Sequence, residues 1–314
     1  MTLDAEVAAH LADVAAAIPP AAAGSAYARR ARLEAVARRF PYPADDVRRD
    51  DHWLHLPGRE LLVRVYRPAP GTLPAILYLH GGGWVAGSVA SHDGPCAALA
   101  ADAGVVVASV QYRRAPENPF PAPNDDAFAA LEWLARTAAE LDVDATRIAV
   151  AGDSAGAHLA LGAALDARAG GGPALALQVL VYPVADRDFE TASYRAHAVS
   201  PTLTRADMIE YWAHYLPEGD AAGDARAVPL RADLHGLPPA CIVVAGLDPL
   251  YDEGVALAGR LRQADVPAVL MDEPTLVHGF LRMAPYAKRA RAAQRAMGEW
   301  VGRALLERTP MEPR

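Results

Sequence analysis

Residues 148–160 read Ile-Ala-Val-Ala-Gly-Asp-Ser-Ala-Gly-Ala-His-Leu-Ala, and this stretch decides the fold. An apolar run ends near Ala151 and a helical pattern begins at Ala155, so residues 152–156 lie on a strand-to-helix turn. A serine nucleophile needs such a sharp, strained turn, and glycines two positions to either side of it avoid a collision. The pattern therefore predicts a nucleophile at Ser154, although a tight glycine-rich turn without chemistry has the same composition.

Short apolar runs alternate with helical patterns on both sides of this turn. The predicted strands are residues 61–66, 75–79, 105–110, 148–151, 175–182, 241–245 and 268–271. The predicted helices are residues 95–103, 124–140, 155–169, 250–264 and 285–306. Continuous hydrophobicity within the strands indicates that both faces of the sheet are covered. The chain is therefore predicted to be an α/β protein, with a mostly parallel central sheet flanked by helices.

Two regions do not follow this alternation. Residues 1–45 contain a second predicted helix at about 27–39, after a first helix whose apolar face is formed by Leu3, Val7, Leu11, Val14 and Ile18. The stretch 184–239 is longer than fifty residues, where a crossover needs about a dozen. A short helix within it has an apolar face formed by Leu203, Met208, Ile209, Trp212 and Leu216.

Apolar helix faces must be buried against another element. We therefore predict that residues 1–45 and about 184–232 pack together as a small helical cap over one end of the sheet. Residues 46–183 and about 233–314 would then form the catalytic core. Separate surface helices that lie against the core would satisfy the same pattern.

The composition excludes several classes of partner. Thirty basic and 38 acidic residues give a net charge of −8, the wrong sign for holding a nucleic acid. Every apolar run is far shorter than the roughly 20 residues of a membrane-spanning helix. The first turn carries Asp4 and Glu6, where a signal peptide would carry lysine or arginine. These features favour a cytoplasmic protein with no membrane or nucleic-acid partner.

Scarce residue types narrow the chemistry. Lys288 is the only lysine, which leaves none for a phosphate-binding loop or a Ser-x-x-Lys pair. Cys96 and Cys241 are the only cysteines, too few and too far apart for a cysteine-rich zinc site or an iron–sulfur cluster. Buried apolar positions suit them better. The sequence therefore predicts neither a metal nor a cofactor.

A serine nucleophile requires an imidazole that takes its proton and a carboxylate that orients this imidazole. On an α/β sheet of this kind the two partners follow later strands, the acid before the base. Asp248 stands at the carboxyl end of the predicted strand 241–245, and His278 follows the predicted strand 268–271. Because the carboxyl ends of parallel strands meet at one edge, we predict that Ser154, Asp248 and His278 converge there.

Other acids and histidines compete for these roles. Asp252 and Glu253 follow the same strand as Asp248, but about one turn into the next helix. His235 precedes the strand of the acid, and His158 lies one turn beyond the serine, where packing is the usual role. The remaining candidates have no place at a strand end and are expected at surface or core positions; they are His10, His52, His55, His92, His197 and His214.

The glycine-rich segment 80–84 follows the predicted strand 75–79 and reads His-Gly-Gly-Gly-Trp. Without a Cβ, its backbone N–H groups can approach a substrate oxygen closely and stabilise a tetrahedral oxyanion. The N–H of Ala155, the residue after the serine, would add a further donor.

The same segment also matches a dinucleotide-binding fingerprint, Gly81-x-Gly83-x-x-Ala86. That motif needs an immediate helix and an acid at the end of the next strand. Residues 88–95 break the helix and Gln111 takes the place of the acid, so cofactor binding is disfavoured.

Four motifs together resemble the bacterial hormone-sensitive-lipase-like branch of the α/β-hydrolase esterases. They are HGGGW at 80–84, SVQYRRAPENPFPAPNDD at 109–126, GDSAGAHLA at 152–160, and DPLYDEG at 248–254 with HGF at 278–280. The resemblance extends from about residue 60 to the C-terminus. It implies an α/β-hydrolase fold with a helical cap, a catalytic triad and an oxyanion hole. The implied triad is Ser154, His278 and Asp248, and the implied oxyanion hole is Gly82, Gly83 and Ala155.

Four residues depart from the usual pattern of this family. Ala157 and His158 stand where the family has a glycine and often an asparagine, and Gln111 and Arg114 replace an aspartate and a leucine. None of them belongs to the triad, so the resemblance still implies ester hydrolysis but says less about substrate preference.

We therefore predict a serine carboxylesterase that hydrolyses short- to medium-chain acyl esters through an acyl-enzyme, with a small-molecule ester as its partner. A small cap without a long apolar surface segment favours soluble esters over emulsified fat. Five residues could line an acyl pocket, although core positions would suit each of them equally; they are Trp84, Trp212, Leu250, Val277 and Phe280. The resemblance also allows a homodimer.

Three other activities would suit the same triad: an N-acyl amidase, a deacetylase and a lactonase. A more distant alternative is a non-catalytic ligand-binding member of the fold, because a fold does not fix a function.

Overall fold

The computed structural model describes residues 2–43, 46–217 and 223–307 of the 314-residue chain. Its strands are β1 (Arg48–Leu56), β2 (Arg59–Arg67), β3 (Leu73–Leu79), β4 (Val106–Val110), β5 (Val143–Asp153), β6 (Leu175–Val181), β7 (Ala240–Leu247) and β8 (Ala268–Val277). Its helices are α1 (Ala5–Ala17), α2 (Ala26–Arg39), α3 (Asp93–Ala103), α4 (Ala122–Arg136), α5 (Ala155–Gly170), α6 (Ala192–Ala196), α7 (Arg205–Tyr215), α8 (Tyr251–Gln263) and α9 (Lys288–Leu306).

The strands of the described residues form one sheet in the order β1-β2-β4-β3-β5-β6-β7-β8. The pairs β1–β2 and β2–β4 are antiparallel, and every other neighbouring pair is parallel. This confirms the predicted α/β fold with a mostly parallel sheet and flanking helices. The sequence analysis missed β1, because its residues are mostly polar. It lies at the edge of the sheet, where Leu54 is its one buried side chain.

Two apolar layers cover the two faces of the sheet. Neighbouring residues of β3 illustrate the division, since Ile76 packs on one face and Leu77 on the other, and both are fully buried. Helices α3 and α9 cover the Ile76 face, and α4, α5 and α8 cover the Leu77 face. Burial on both faces explains why the central strands are continuously apolar.

The order of the strands reverses beside β3. The chain moves from β3 to β4 on one side, whereas β5 lies on the other side of β3. The helices that follow β3 and β5 cover opposite faces, so the loops at the two strand ends diverge and leave a crevice between them. The glycine-rich segment 80–84 leaves β3 at this crevice, and Ser154 leaves β5 there.

Helices α1, α2 and α7 lie outside the alternation of strands and helices. The guanidinium of Arg29 in α2 forms ion pairs with Asp207 at 2.9 Å and with Glu210 at 2.7 Å, both in α7. The two regions predicted to form a cap are therefore in direct contact. Parts of the predicted cap and core lie outside the described residues, namely residues 1, 44, 45, 218–222 and 308–314.

Both cysteines occupy buried positions and neither is in a disulfide. Burial raises the pKa of the Cys96 thiol, and it raises that of Cys241 to about 12. Both therefore remain thiols and pack as small apolar side chains, as the sequence indicates. Among the helices that the structure describes, none has the length and hydrophobicity to cross a membrane.

Candidate active site

The strand-to-helix turn holds Ser154 in a strained backbone conformation, with φ 57° and ψ −123°. A Cβ on Gly152 would lie 2.3 Å from the backbone carbon of Gly156, and one on Gly156 would lie 1.9 Å from the carbonyl oxygen of Leu79. The N–H of Ser154 donates to the carbonyl of Val181 at 2.8 Å, which attaches the turn to β6. A side chain at either flanking position would collide with the backbone, as the sequence predicts. Both positions therefore require glycine.

Three side chains from three strand ends meet at this turn. The Ser154 hydroxyl lies 2.9 Å from Nε2 of His278, and Nδ1 of His278 lies 2.7 Å from Oδ2 of Asp248. Ser154, Asp248 and His278 are 6%, 1% and 9% exposed, so these hydrogen bonds are shielded from bulk water. When Nδ1–H donates to the carboxylate, Nε2 is left as the acceptor for the proton of Ser154.

Neighbouring groups fix the acid and the imidazole. The N–H of Leu250 donates to Oδ1 of Asp248 at 2.9 Å. The ring centroid of Tyr182 lies 4.6 Å from that of His278. One carboxylate oxygen of Asp248 is thus held by the backbone, and the other is oriented toward the imidazole.

The acids that compete with Asp248 are engaged elsewhere. The carboxylate of Asp252 accepts from the N–H of Ser193 at 2.8 Å, and that of Glu253 accepts from the N–H of Asp186 at 3.0 Å. Burial raises the pKa of Glu253 well above its usual value. Neither acid hydrogen-bonds to His278 within the described residues.

The competing histidines do not reach Ser154 either. His235 is exposed beside Asp233, and His158 is buried with its Nε2 3.2 Å from the carbonyl of Ala227. Of the remaining six, His10 and His92 are buried, whereas His52, His55, His197 and His214 are exposed or half-buried. Within residues 2–43, 46–217 and 223–307, no group of three or more histidine, cysteine, aspartate or glutamate side chains could hold a metal ion.

Gly82 and Gly83 line the same cavity as Ser154, with φ values of 125° and 62°. A Cβ on Gly82 would lie 2.3 Å from the carbonyl oxygen of Ala86, and one on Gly83 would lie 2.4 Å from the ring of Tyr211. Among the described residues, the N–H groups of Gly82 and Gly83 meet no backbone acceptor. Ala155 is the first residue of α5, so its N–H has no acceptor within the helix. All three groups can therefore donate to a substrate oxygen.

Asp153 connects the glycine-rich segment to the turn of Ser154. Its buried carboxylate accepts from the N–H of Gly81 at 2.9 Å and from the hydroxyl of Tyr78 at 2.8 Å, and Nε2 of His92 lies 3.5 Å away. Burial acts to raise the pKa of Asp153, but His92 and the hydrogen bond from Tyr78 outweigh it and hold this pKa below its usual range.

The sequence analysis gave Asp153 no role. The signal that could have found it is an aspartate that directly follows an apolar strand, where an ionised side chain is costly unless several donors satisfy it.

A cavity of about 310 Å³ opens onto Ser154 and His278. Besides the groups described above, its wall includes residues from α2 and α7 and from the segment before α7; these are Arg29, Arg32, Leu33, Ser200, Pro201, Thr202, Leu203, Thr204, Asp207, Met208 and Tyr211. Arg282, four positions after His278, also lines it. Pro20, Ala21 and Ala23 complete this wall, so apolar side chains alternate there with polar and charged ones.

None of the five residues predicted for an acyl pocket lines this cavity. They are at most 1% exposed and belong to the core layers; they are Trp84, Trp212, Leu250, Val277 and Phe280. Trp84, for example, stacks on Tyr215 with ring centroids 4.2 Å apart. They occupy the core positions that the sequence equally allowed, because large apolar side chains fill the space between sheet and helices, where burial stabilises each by about 1.5–3 kcal/mol.

Sequence reasoning also missed the arginines of the cavity. Arg29 is neutralised by Asp207 and Glu210, and its guanidinium lies 4.7 Å from the ring centroid of Tyr211. Arg32 follows one turn later on α2, and Arg282 lies in the short 3-10 helix Phe280–Met283 that follows β8. An arginine on an amphipathic helix usually lies on a solvated face, so its spacing alone gave no signal.

Comparisons with known proteins agree with this fold. The sequence profile of the α/β-hydrolase fold family matches residues 76–282. Over 231 residues the chain is 43% identical to carboxylesterase NlhH of Mycobacterium tuberculosis, with 72% of each protein covered. Over 240 residues it is 40% identical to an ethyl acetate hydrolase of Pseudomonas putida, with 74% of this chain and 75% of that protein covered.

Solved structures extend the likeness to nearly the whole chain. A hyperthermophilic esterase from the archaeon Pyrobaculum calidifontis has a TM-score of 0.89 at 35% identity, over 96% of this chain and 98% of that one. A thermostable esterase from Pseudomonas putida has a TM-score of 0.92 at 32% identity, over 97% of this chain and 98% of that one.

Proposed function

Because this chain belongs to the α/β-hydrolase fold family, in its hormone-sensitive-lipase-like branch, we propose that it hydrolyses carboxylic esters with Ser154 as nucleophile. The class of reaction follows from the relationship, since the chain is a carboxylic ester hydrolase like its relatives. The assignment of residues rests on one observation, the continuous line of hydrogen-bonding distances from Asp248 through His278 to Ser154.

Acylation begins when Nε2 of His278 takes the hydroxyl proton of Ser154 and the Oγ of Ser154 attacks the ester carbonyl. The oxyanion accepts hydrogen bonds from the N–H groups of Gly82, Gly83 and Ala155, each worth about 3–4 kcal/mol in the transition state. The carboxylate of Asp248 stabilises the imidazolium of His278, which then protonates the leaving alcohol. An acyl group remains on Ser154.

Deacylation repeats these steps with water as the nucleophile. His278 takes a proton from the water molecule, whose oxygen attacks the acyl carbon, and the same N–H groups hold the second oxyanion. When this intermediate collapses, His278 returns the proton to Ser154 and the acid is released. The polar groups that this cycle requires are supplied by the residues named above.

We propose short- to medium-chain esters as the substrates. A cavity of about 310 Å³ lies at the lower end of the usual size range for small-molecule sites, which extends from about 300 to 1,000 Å³. The contact between α2 and α7 supports a division into a cap, residues 1–45 and about 184–232, and a core. A cytoplasmic location is supported by composition alone, and a homodimer by family relationship alone. Light scattering of the purified protein tests the latter.

The test is active-site labelling with an organophosphate, followed by mass spectrometry of the tryptic peptides. We expect one adduct, on Ser154, and about a 10⁶-fold loss of p-nitrophenyl butyrate hydrolysis in Ser154→Ala. Ser200→Ala removes another hydroxyl from the same cavity and should still be labelled on Ser154. Label on a different residue, or activity retained by folded Ser154→Ala, would contradict the mechanism. A parallel assay with p-nitroacetanilide separates an esterase from an amidase.

A further inference from the structure

A second cavity of about 300 Å³ adjoins the one that opens onto Ser154. Residues from α1, α2 and the N-terminus of α3 form half of its wall. The two cavities share six lining residues, which are Arg32, Leu33, Pro201, Thr202, Gly279 and Arg282. Two arginines therefore line both cavities.

Neither guanidinium is neutralised by a carboxylate in the part of the chain that the structure describes. Arg32 donates from Nε to the backbone carbonyl of Pro19 at 3.1 Å. The acids nearby are taken by other arginines, because Asp207 pairs with Arg29 at 2.9 Å and Asp93 pairs with Arg49 at 3.1 Å. The junction of the cavities is thus positively charged.

The other acid that lines the first cavity is Asp153, and neighbouring donors already satisfy its carboxylate. Its oxygens accept from Gly81 and Tyr78, and His92 lies 3.5 Å away. The charge of Arg282 contributes to the lowered pKa of Asp153, but the two side chains form no ion pair. Asp153 therefore offsets the charge of Arg282 only at longer range.

Arg282 lies beside the residue that follows His278. Its Nη2 is 3.3 Å from the point where a Cβ on Gly279 would stand, and Gly279 directly follows His278. Burial lowers the pKa of Arg32, and the charge of Arg282 lowers it further, so the two cations repel each other in a partly desolvated place. A bound anion would remove this repulsion and make charge-assisted hydrogen bonds to both groups.

We propose that Arg32 and Arg282 bind a carboxylate of the substrate, so that the preferred esters carry a free carboxylate in addition to the ester group. The planar fork of a guanidinium matches the two oxygens of a carboxylate, and two such forks can hold it at a fixed distance from Ser154. This inference rests on the proposed ester hydrolysis and names the class of substrate for that site.

The experiment compares anionic esters with neutral esters of the same length. Monomethyl adipate is matched with methyl hexanoate, and 4-acetoxybutanoate with butyl acetate, so that the carboxylate lies on the acyl or on the alcohol part. Acid release in a pH-stat gives kcat/KM for each ester. The readout is the ratio of the anionic to the neutral kcat/KM, which cancels any general loss of activity in a variant.

We expect this ratio to exceed one for at least one pair, and to fall about tenfold in Arg32→Gln and in Arg282→Gln. Arg38→Gln is the matched control, because Arg38 is exposed on α2 and lines neither cavity. It should leave the ratio unchanged. Ratios below one in the wild type, ratios that the two variants leave unchanged, or an equal fall in Arg38→Gln would overturn the proposal.

A binding measurement separates this inference from the proposed function. Calorimetric titration of Ser154→Ala with adipate needs no turnover, and we expect saturable binding that is lost in Ser154→Ala/Arg32→Gln. If the wild type hydrolyses no ester but adipate binds in this manner, the anion site stands and the proposed function fails. If esters are hydrolysed but adipate does not bind in the millimolar range, the anion site fails alone.

Discussion

The cavity has two walls that differ in construction. The strand-end wall consists of Gly81, Gly82, Gly83, Asp153, Ser154 and His278, and the helical wall consists of Arg29, Arg32, Met208 and Tyr211. In the strand-end wall, the backbone passes so close to its neighbours that only glycine fits at residues 81–83, and buried hydrogen bonds hold the polar side chains. In the helical wall, Met208 is buried, whereas Arg29, Arg32 and Tyr211 are half-buried and ion pairs hold Arg29. On the proposed function, we expect the chemistry to depend on the first wall and the choice of substrate on the second.

The largest effect is expected in the strand-end wall from Asp248→Asn. An asparagine keeps the shape but favours the wrong tautomer of His278, so kcat should fall by about 10⁴-fold with KM little changed. The matched control is Asp252→Asn, since Asp252 follows the same strand but contacts Ser193. A loss of less than tenfold in Asp248→Asn, measured with p-nitrophenyl butyrate, would show that the triad assignment is wrong.

Gly83→Ala tests the contact between Gly83 of the strand-end wall and Tyr211 of the helical wall. The added Cβ would lie 2.4 Å from the ring of Tyr211, at a positive φ of 62°. We expect kcat to fall about 100-fold, because a displaced Gly83 no longer aims its N–H at the oxyanion.

The double variant Gly83→Ala/Tyr211→Ala identifies which wall causes that loss. Removing the ring should recover about tenfold in kcat and leave the backbone strain of about 1–2 kcal/mol. No recovery would mean that the strand-end wall alone accounts for the loss.

The same division explains what the sequence could predict. Ser154, Asp248 and His278 could be assigned because each follows a continuous apolar run, and parallel strands bring their carboxyl ends together. The glycines flanking Ser154 could be assigned because only a residue without a Cβ fits the turn. These features are local to the chain or follow from the topology of the sheet.

The helical wall could not be predicted in this way. Arg29 and Arg32 are spaced by three residues on α2, a spacing that equally describes a solvated face. Their place in the cavity depends on how α2 packs against α7, which no local pattern encodes. The sequence likewise left Trp84 and Trp212 open between pocket and core, because hydrophobicity predicts burial but not which buried position faces a ligand.

We expect the stability of the fold to depend on pH because of His158. Its buried ring lies near that of Trp84, with the two centroids 5.1 Å apart. Burial lowers the pKa of His158 to about 4, against 6.5 in the unfolded chain. Between these values the unfolded chain binds a proton that the folded chain does not. The free energy of unfolding should therefore fall as the pH falls from 6.5, by about 2 kcal/mol near pH 4.5.

Urea unfolding at pH 7 and pH 4.5 measures this loss, and His158→Gln should reduce the difference between the two. His80 is also buried, and its pKa is lowered to about 3. It therefore adds a further loss of stability at low pH, in the wild type and in His158→Gln alike. The exposed His55 provides a control, His55→Gln, that should behave as the wild type. An equal pH dependence in His158→Gln and the wild type would contradict the prediction.

The smallest effect is expected from Arg29→Gln, which removes the ion pairs between α2 and α7. The side chain of Arg29 is 12% exposed, so its charge-assisted hydrogen bonds should contribute about 1–2 kcal/mol to the free energy of unfolding. Arg38→Gln on the exposed side of α2 should change it by less than about 0.5 kcal/mol. We expect kcat with neutral esters to change by less than about fivefold, since no group of the triad is touched. A loss comparable to that of Asp248→Asn would contradict the division between the walls.

The connection between β6 and β7 has a consequence for how such enzymes diversify. Residues 184–239 leave the sheet after β6 and return to β7, and these strands are direct neighbours, with Val181 opposite Val243. Whatever its length, the segment starts and finishes one strand spacing apart, about 4.8 Å. We therefore expect that a laboratory graft can exchange most of this segment and change the lining of the cavity, provided that its contacts with the strand ends, such as that of Ser193 with the carbonyl of Pro249, are kept.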